Sequence, residues 1–318
     1  MIDFWEVVRR SENGELVEER EFDMRVVRTS KKMVEKYDLK FNPEEVIPSD
    51  DAMVDRLFEA AIEYFLTVGV YCTDTERVIK CTRDELEVAL NASTDRITWG
   101  EGRDQRTQYP RKVEDPRPPF CNFTLVGTPY PEEIFLQAAM STAKEDLADC
   151  FSGGSILHTL GGIEVRSGSP AEVEAAIWDV GKRREAAIRV GHPGKGMYTQ
   201  VSAAEKADAM IAAARPEFGA LDRDGVLMGA IAEMKVDYDR MKKVPFLLRA
   251  TYPLGGLMGP LMGGYAGGPE GSAINMVAHL FLGRMAFMTC STSRLRLSRS
   301  TGVPSLTAGS RSDRHYGG

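Results

Sequence analysis

The 318-residue chain is long enough for two ordinary domains or for one large α/β barrel. With 43% hydrophobic and 27% charged residues, it has the composition of a globular protein, which excludes an intrinsically disordered chain. Its formal net charge of −7 disfavours nucleic-acid binding, which normally needs a basic surface. The longest uncharged run, residues 250–269, is too rich in glycine and proline for a transmembrane helix, so no membrane association is expected. An acidic amino terminus and five cysteines, an odd number, favour the cytoplasm over secretion.

The amino-terminal part of the chain is predicted to be mainly helical. Ser49 is expected to cap an amphipathic helix, whose apolar residues recur every three or four positions until Gly69. A capping box at Thr82–Glu85 predicts the next helix. The segment 93–125 is polar and rich in proline and arginine, which indicates a loop or an irregular strand region.

From about residue 123 onward, predicted strands alternate with predicted helices. This alternation is typical of a parallel α/β layout, either a barrel or a doubly wound sheet. The predicted strands or apolar stretches are 123–126, 155–158, 234–238 and 246–250. The predicted helices are a segment ending at Asp149, a segment from Ser169 to Val190, one that starts at a capping box at Ser202 and ends near Arg215, and 271–290.

No short motif for metal binding or nucleophilic catalysis occurs in the sequence. The string Gly191–Gly196 superficially resembles a phosphate loop, but it follows a helix, whereas a dinucleotide-binding loop follows a strand. We therefore expect a structural turn there. The cysteines lack the spacing of a zinc site and are expected to be buried thiols. They are Cys72, Cys81, Cys121, Cys150 and Cys290.

Four sequence strings occur together in the order and approximate spacing of one known family. They are Gly69–Thr75 (GVYCTDT), Trp99–Asp104 (WGEGRD), Gly191–Gly196 (GHPGKG) and Gly263–Gly268 (GGYAGG). Over roughly residues 20–290, the chain resembles the monomethylamine methyltransferases, the corrinoid-protein-dependent enzymes of methylamine-using methanogenesis.

The resemblance implies an α/β fold, a (β/α)8 TIM-type barrel with an N-terminal helical extension. Residues 1–92 would form the extension, 93–290 an incomplete barrel, and 291–318 a Ser/Arg-rich tail that is unstructured or frameshifted. The family continues well beyond this point, so the last part of the barrel is expected to be missing or altered after about residue 290. The site is expected at the C-terminal mouth of the barrel, in loops such as 191–199 and 251–269.

The resemblance also implies an enzymatic activity. The family moves a methyl group from monomethylamine, or here a related methylated amine, to the Co(I) corrinoid (cobalamin) of a separate corrinoid protein. No cofactor is expected in this chain. Residues 313–318 do fit the pattern D-x-H-x-x-G of cobalamin-binding proteins, but in those proteins a flavodoxin-like domain continues long after the pattern. The expected partners are the cognate corrinoid protein and the amine, and a homo-oligomer is left open.

Three positions that carry functional groups in the family carry different residues here. Pyrrolysine, whose imine carbon takes up the amine nitrogen, aligns with Tyr198, which is the predicted catalytic residue. Two family carboxylates align with Leu257 and, less closely, with Leu227. A phenol cannot form the amine adduct, and a leucine cannot pair with an ammonium group.

These replacements leave two alternatives open. A tyrosine between leucines suits a quaternary amine held by cation–π contact, which would make the chain a quaternary-amine corrinoid methyltransferase without pyrrolysine. The other alternative is a non-catalytic remnant or a binding module for the corrinoid protein. Five more residues are expected to line the substrate pocket, namely Asp237, Arg249, Tyr265, Gly194 and Gly196.

Overall fold

The computed structural model describes most of the chain as helices and short strands. Arg249, the predicted capping box at Ser202 and the predicted tail 291–318 lie outside the described residues. Within the described part, no helix is both long and apolar enough to cross a lipid bilayer. The described residues are 3–45, 50–92, 96–111, 115–124, 128–156, 158–199, 206–247, 254–257, 260 and 262–286.

The helices and strands follow one another in chain order. The helices are α1 (Phe4–Asn13), α2 (Glu19–Lys36), α3 (Asp51–Val68), α4 (Arg83–Asn91), α5 (Glu132–Ala143), α6 (Pro170–Arg189), α7 (Ala207–Ala213), α8 (Tyr238–Leu247) and α9 (Pro269–Ala286). The strands are β1 (Glu15–Leu16), β2 (Val70–Cys72), β3 (Arg77–Ile79), β4 (Ile97–Trp99), β5 (Arg106–Gln108), β6 (Asn122–Thr124), β7 (Cys150–Ser152), β8 (Thr159–Leu160), β9 (Ile163–Glu164), β10 (Gly196–Thr199), β11 (Gly225–Gly229), β12 (Lys235–Val236) and β13 (Leu254–Leu257).

Side-chain caps fix the starts of the predicted helices. The capping box of α4 is confirmed, because Thr82 accepts a hydrogen bond from the Glu85 N–H at 3.2 Å and Glu85 accepts one from the Thr82 N–H at 2.9 Å. Helix α6 starts after Ser169, as predicted, with Pro170 in its first turn. Helix α3 is capped by Asp50, whose carboxylate accepts from the Ala52 N–H at 2.9 Å, while the predicted cap Ser49 lies outside the described residues.

Two predicted element boundaries are wrong. Helix α5 ends at Ala143, because the polar run after it turns the chain into β7, which begins at Cys150 where an end of the helix was expected. The prediction of a strand from Phe246 is wrong at its start, since Phe246 lies in α8. There Met241 and Val244, three residues apart, are both buried and place a helical face on the core.

A parallel sheet positions the candidate site. Its strand order is β13-β11-β10-β7-β6, and every pair in it is parallel. Along the chain these strands come in the order β6, β7, β10, β11 and β13, and each strand pairs with the next one. A helix connects the two strands of each pair. In a doubly wound sheet the strand order reverses at a switch point, whereas in a barrel it runs in one direction. The one-directional order therefore confirms the α/β class and favours the barrel.

The strand register separates the two faces of this sheet. Phe151 and Met197 are paired neighbours, and both are completely buried in the main hydrophobic cluster together with residues of α6 and α7 such as Val180 and Met210. This face is therefore the outer, helix-covered face. Because side chains alternate along a strand, residues one position away belong to the opposite face, which is the inner face of the barrel.

The amino-terminal elements are joined to the rest of the chain by pairing and packing. A second sheet has the order β1-β3-β2-β12, in which β12 pairs in parallel with β2, with Lys235 opposite Tyr71. Helix α9 packs on α3, and the ring of Phe281 contacts the rings of Phe58 and Phe65 edge-on, at centroid distances of 5.6 and 5.8 Å. The boundary at residue 92 stays a prediction, since one hydrophobic cluster contains residues from both sides of it.

We expect Phe281→Ala to lower the free energy of unfolding by about 3–5 kcal/mol, because it removes a buried ring that joins α9 to α3. Urea denaturation followed by circular dichroism measures this change. Met276→Ala on the same helix is the control, since Met276 is 43% exposed, and it should change the value by less than about 0.5 kcal/mol. Equal effects of the two substitutions would show that the α3–α9 contact does not carry this stability.

Candidate functional site

The three positions singled out by the family resemblance lie on neighbouring strands of the parallel sheet. Tyr198 is on β10, Leu227 is on β11, and Leu257 ends β13. Tyr198 pairs with Gly225 of β11, while Leu227 pairs with Gly255 of β13. Since paired residues share a face and residues two apart share a face, all three positions belong to the inner face. The structure therefore brings them together near the carboxyl ends of three adjacent strands, and their roles stay predictions.

The inner face extends across β7 and β6, where it carries polar residues that the sequence did not reveal. Cys150 pairs with Gly196, so Ser152 follows level with Tyr198 on the neighbouring strand. Asn122 pairs with Cys150, whose thiol donates to the Asn122 Oδ1 at 3.4 Å. Burial raises the pKa of Cys150 well above its ordinary value, which keeps it a neutral thiol. Alternate positions in a three-residue strand give too short a pattern to reveal this face from the sequence.

Backbone hydrogen bonds join the two loops that follow β6 and β7 at the mouth of the barrel. The Tyr130 N–H donates to the Ser155 carbonyl at 3.0 Å, and the Ser155 N–H donates to the Thr128 carbonyl at 2.9 Å. A Cβ atom on Gly154 would lie 1.8 Å from the Tyr130 ring, so only glycine permits this close approach. The parallel pairing of β6 and β7 thus continues past the ends of both strands.

A buried ion pair lies beneath these loops. The Arg183 Nε is 2.5 Å from the Asp179 Oδ1, both on α6, and both side chains are at most 1% exposed. Arg183 also donates to the Gly154 carbonyl at 3.1 Å. Burial raises the pKa of Asp179 to about 6, against the opposing effects of Arg183 and of the Ile156 N–H.

An acid-rich cleft of about 890 Å³ lies beside the mouth, where α6, α7 and α8 begin. Glu172 lines this cleft, and its carboxylate accepts hydrogen bonds from the Gly168 N–H at 2.6 Å and from the Lys206 N–H at 3.0 Å. These bonds fasten the start of α6 to the start of α7. The charged residues that line the cleft are Asp74, Glu172, Glu174, Lys206, Asp208, Asp239 and Lys242.

Two of the predicted pocket residues have contacts elsewhere. Asp237 precedes α8 and caps it, because its carboxylate accepts from the Arg240 N–H at 2.7 Å and pairs with the Arg240 guanidinium. The ring of Tyr265 is 47% exposed and lies 6.0 Å from the Lys235 Nζ, which itself forms ion pairs with α2. The structure does not bring either residue into described contact with the inner face of the sheet.

The glycine-rich string lies at the opposite end of the sheet from the mouth. It follows α6 and leads into β10, so residues 191–195 lie at the amino end of that strand, and the prediction that they help to form the mouth is wrong. A Cβ on Gly194 would lie 2.4 Å from the Glu101 carbonyl, and one on Gly196 would lie 3.1 Å from the Trp99 Cβ. Both glycines therefore serve close packing against the Trp99–Asp104 string.

Two buried carboxylates hold this amino end together. Asp104 accepts from the Gly194 N–H at 3.1 Å and lies 3.0 Å from the His192 Nδ1. Asp224 accepts from the Met197 N–H at 2.9 Å and pairs with Arg184 at 2.8 Å. Burial opposes ionisation of Asp104, but the bonds from His192 and Gly194 outweigh it and lower its pKa. Among the described residues, no group of three or more His, Cys, Asp or Glu side chains could hold a metal ion.

We expect Asp104→Asn to cost about 1–3 kcal/mol of unfolding free energy at pH 7, since it removes a charged acceptor from two hydrogen bonds. Because the pKa of Asp104 is lower in the folded protein, its contribution is present above the unfolded value and disappears as the pH falls through the folded value. Urea denaturation at pH 7 and near pH 3 should therefore give a smaller wild-type–variant difference in acid. A difference that does not change with pH would contradict this role.

Comparisons with known proteins agree with the strand order and the strings. The family model "Monomethylamine methyltransferase MtmB" matches residues 2–293. Monomethylamine methyltransferase MtmB of Methanosarcina mazei is 31% identical over 282 residues, covering 87% of this chain and 60% of that protein. MtmB1 of Methanosarcina acetivorans is 30% identical over 280 residues, with the same coverage.

Two solved structures also match this chain. The crystal structure of the Methanosarcina barkeri monomethylamine methyltransferase (MtmB) matches with a TM-score of 0.86 and 28% identity, over 91% of this chain and 62% of that one. The hydroxylamine MtmB complex matches equally well. The chain thus spans about 60% of the length of the curated relatives it matches. It belongs to the monomethylamine methyltransferase MtmB family.

Proposed function

We propose that this protein transfers a methyl group from a methylated amine, with monomethylamine as the first candidate, to the Co(I) corrinoid of a separate protein. The observation that carries the proposal is the match to MtmB over residues 2–293, together with a TM-score of 0.86 to a solved MtmB. The strand register supports it, since the three positions aligned with the functional groups of the family share the inner face.

In the proposed reaction, the amine nitrogen keeps the electron pair of the breaking C–N bond, while the Co(I) corrinoid of the partner supplies the pair that accepts the methyl group. This chain would bind the amine on the inner face of the sheet and present its methyl group at the mouth. Tyr198, Leu227 and Leu257 would form three walls of that pocket. Ser152, which is completely buried and level with Tyr198 on the neighbouring strand, would support these walls from the side of β7.

The chemistry of the inner face favours a quaternary amine as the second candidate donor. None of the inner-face positions on the five paired strands carries a formally charged residue, so none of them can form an ion pair with an ammonium group. A quaternary ammonium group can instead be held against the Tyr198 ring by cation–π attraction. Its leaving group is a neutral amine, which needs no proton. These positions are Asn122, Thr124, Cys150, Ser152, Gly196, Tyr198, Gly225, Leu227, Gly229, Gly255 and Leu257.

The test is methyl transfer by the purified full chain to the reduced cognate corrinoid protein, followed by the loss of the Co(I) absorbance. Monomethylamine, trimethylamine and tetramethylammonium are compared as donors. The proposal predicts turnover with at least one of them, and the second candidate predicts the fastest turnover with tetramethylammonium. Capture of the corrinoid protein without transfer from any methylated amine would contradict both and indicate a binding module.

Substitutions at Tyr198 separate the two candidate donors. If a quaternary amine is held by the ring face, Tyr198→Phe should keep kcat/KM within about threefold, whereas Tyr198→Ala should lower it by about 3- to 30-fold, as expected for a lost cation–π contact. Tyr109→Phe is the control, because Tyr109 is 43% exposed and lies outside the parallel sheet. Equal losses in the Phe and Ala variants would show that the hydroxyl, and not the ring face, acts on the donor.

A further inference from the structure

The buried ion pair of α6 lies beside an apolar cluster, in a place where an ion pair is costly. The Asp179 and Arg183 side chains are at most 1% exposed. The hydrophobic cluster beside them consists of uncharged residues, including Phe135 and Ala139 of α5 and Ile156 of the mouth loop. A buried ion pair gains little net stability over apolar residues of the same volume. Its contacts therefore indicate a role other than stabilising the core.

These contacts are directed at one segment of the mouth. Arg183 donates to the Gly154 carbonyl at 3.1 Å, and its Cγ would lie 3.7 Å from a Cβ on Gly153. The Ile156 N–H stabilises the charged form of Asp179. Arg183 thus contacts the start of the segment 153–156, while the Thr128 and Tyr130 backbone bonds hold Ser155 farther along it.

The segment follows directly on the inner-face position beside Tyr198. Ser152 ends β7, and the register of β7 with β10 places it level with Tyr198. A shift of residues 153–156 would therefore move Ser152 relative to Tyr198. We infer that the buried Asp179–Arg183 ion pair is a positioning device that holds the 153–156 segment, and with it Ser152, beside Tyr198. The expected effect of the ion pair on turnover rests on the proposed function, whereas its expected effect on the loop does not.

The buried ion pair also gives the stability of the protein a dependence on pH. Within the described structure, Arg183 is the one charged group that acts on the Asp179 carboxylate, because α5 and the mouth loop present apolar side chains and backbone. Burial raises the pKa of Asp179 to about 6, so acidification through that value neutralises the carboxylate and removes its attraction for Arg183. The raised pKa also means that ionised Asp179 costs stability, so the wild type should lose stability as the pH rises from about 4 to about 6.

The first experiment measures hydrogen exchange of the full chain by mass spectrometry, in peptides covering residues 150–156. Asp179→Asn should speed exchange of the Ser155 and Ile156 amides at least tenfold at pH 7. Glu185→Gln is the matched control, because it breaks the partly exposed ion pairs of Glu185 with Lys182 and Arg189 on the same helix and should leave these exchange rates unchanged.

A double variant keeps the inference testable if Asp179→Asn does not fold. Asp179→Leu/Arg183→Met replaces the pair by apolar side chains of similar volume, a change that proteins tolerate well. It should keep the thermal unfolding midpoint within a few degrees and still lose the protection of the 153–156 segment. Unchanged protection in a folded double variant, or in Asp179→Asn, would overturn the inference.

Methyl transfer provides a second readout. In an active wild type, Asp179→Asn should lower kcat at least tenfold at pH 7, whereas Glu185→Gln should leave it unchanged. An unchanged kcat in a folded Asp179→Asn variant would overturn the positioning role. If the wild type transfers no methyl group, the proposed function fails, and the exchange measurement alone decides whether the pair positions the loop.

Discussion

The parallel pairing of β6, β7, β10, β11 and β13 is the constraint on which the other features of the molecule depend. Parallel neighbours need a crossover between them, and a helix in each crossover covers the same outer face. All five carboxyl ends consequently point to one side, so that positions as distant in the chain as Tyr198 and Leu257 become neighbours.

The two ends of this sheet differ in their electrostatics. At the amino end, buried charged groups such as Asp104, Asp224 and Arg184 are fully engaged with backbone amides, carbonyls and one another. At the carboxyl end, the described inner-face positions are neutral, and the charges lie outside the barrel wall, in the ion pair of α6 and in the acid-rich cleft. Fixed, hydrogen-bonded charges suit a structural base, whereas the inner-face positions of the described strands carry no formal charge.

Local signals predicted much of the fold, and long-range packing decided the rest. The capping residues at Thr82 and Ser169 are local chemistry and could be predicted from the sequence. Periodicity could not distinguish a barrel from a doubly wound sheet, because that difference lies in the strand order. Asp179 and Arg183, four residues apart on a helix, have the pattern of an exposed surface pair, and only the packing of α5 on α6 shows that they are buried. The position of the glycine-rich string at the amino end likewise depends on where β10 begins.

The pairing of β12 with β2 has a consequence for the order in which the protein can fold during synthesis. The amino-terminal sheet is completed by hydrogen bonds from Tyr71 to Met234 and from Thr73 to Val236, both 2.9 Å, so it needs a strand that the ribosome makes much later. The face of α3 that packs on α9 stays uncovered for longer, until α9 has emerged from the ribosome. During this interval the nascent chain exposes an unpaired strand edge and an uncovered helix, which are the surfaces that chaperones bind. The amino-terminal sheet and α3 are thus made before β12 and α9 and are completed only after both.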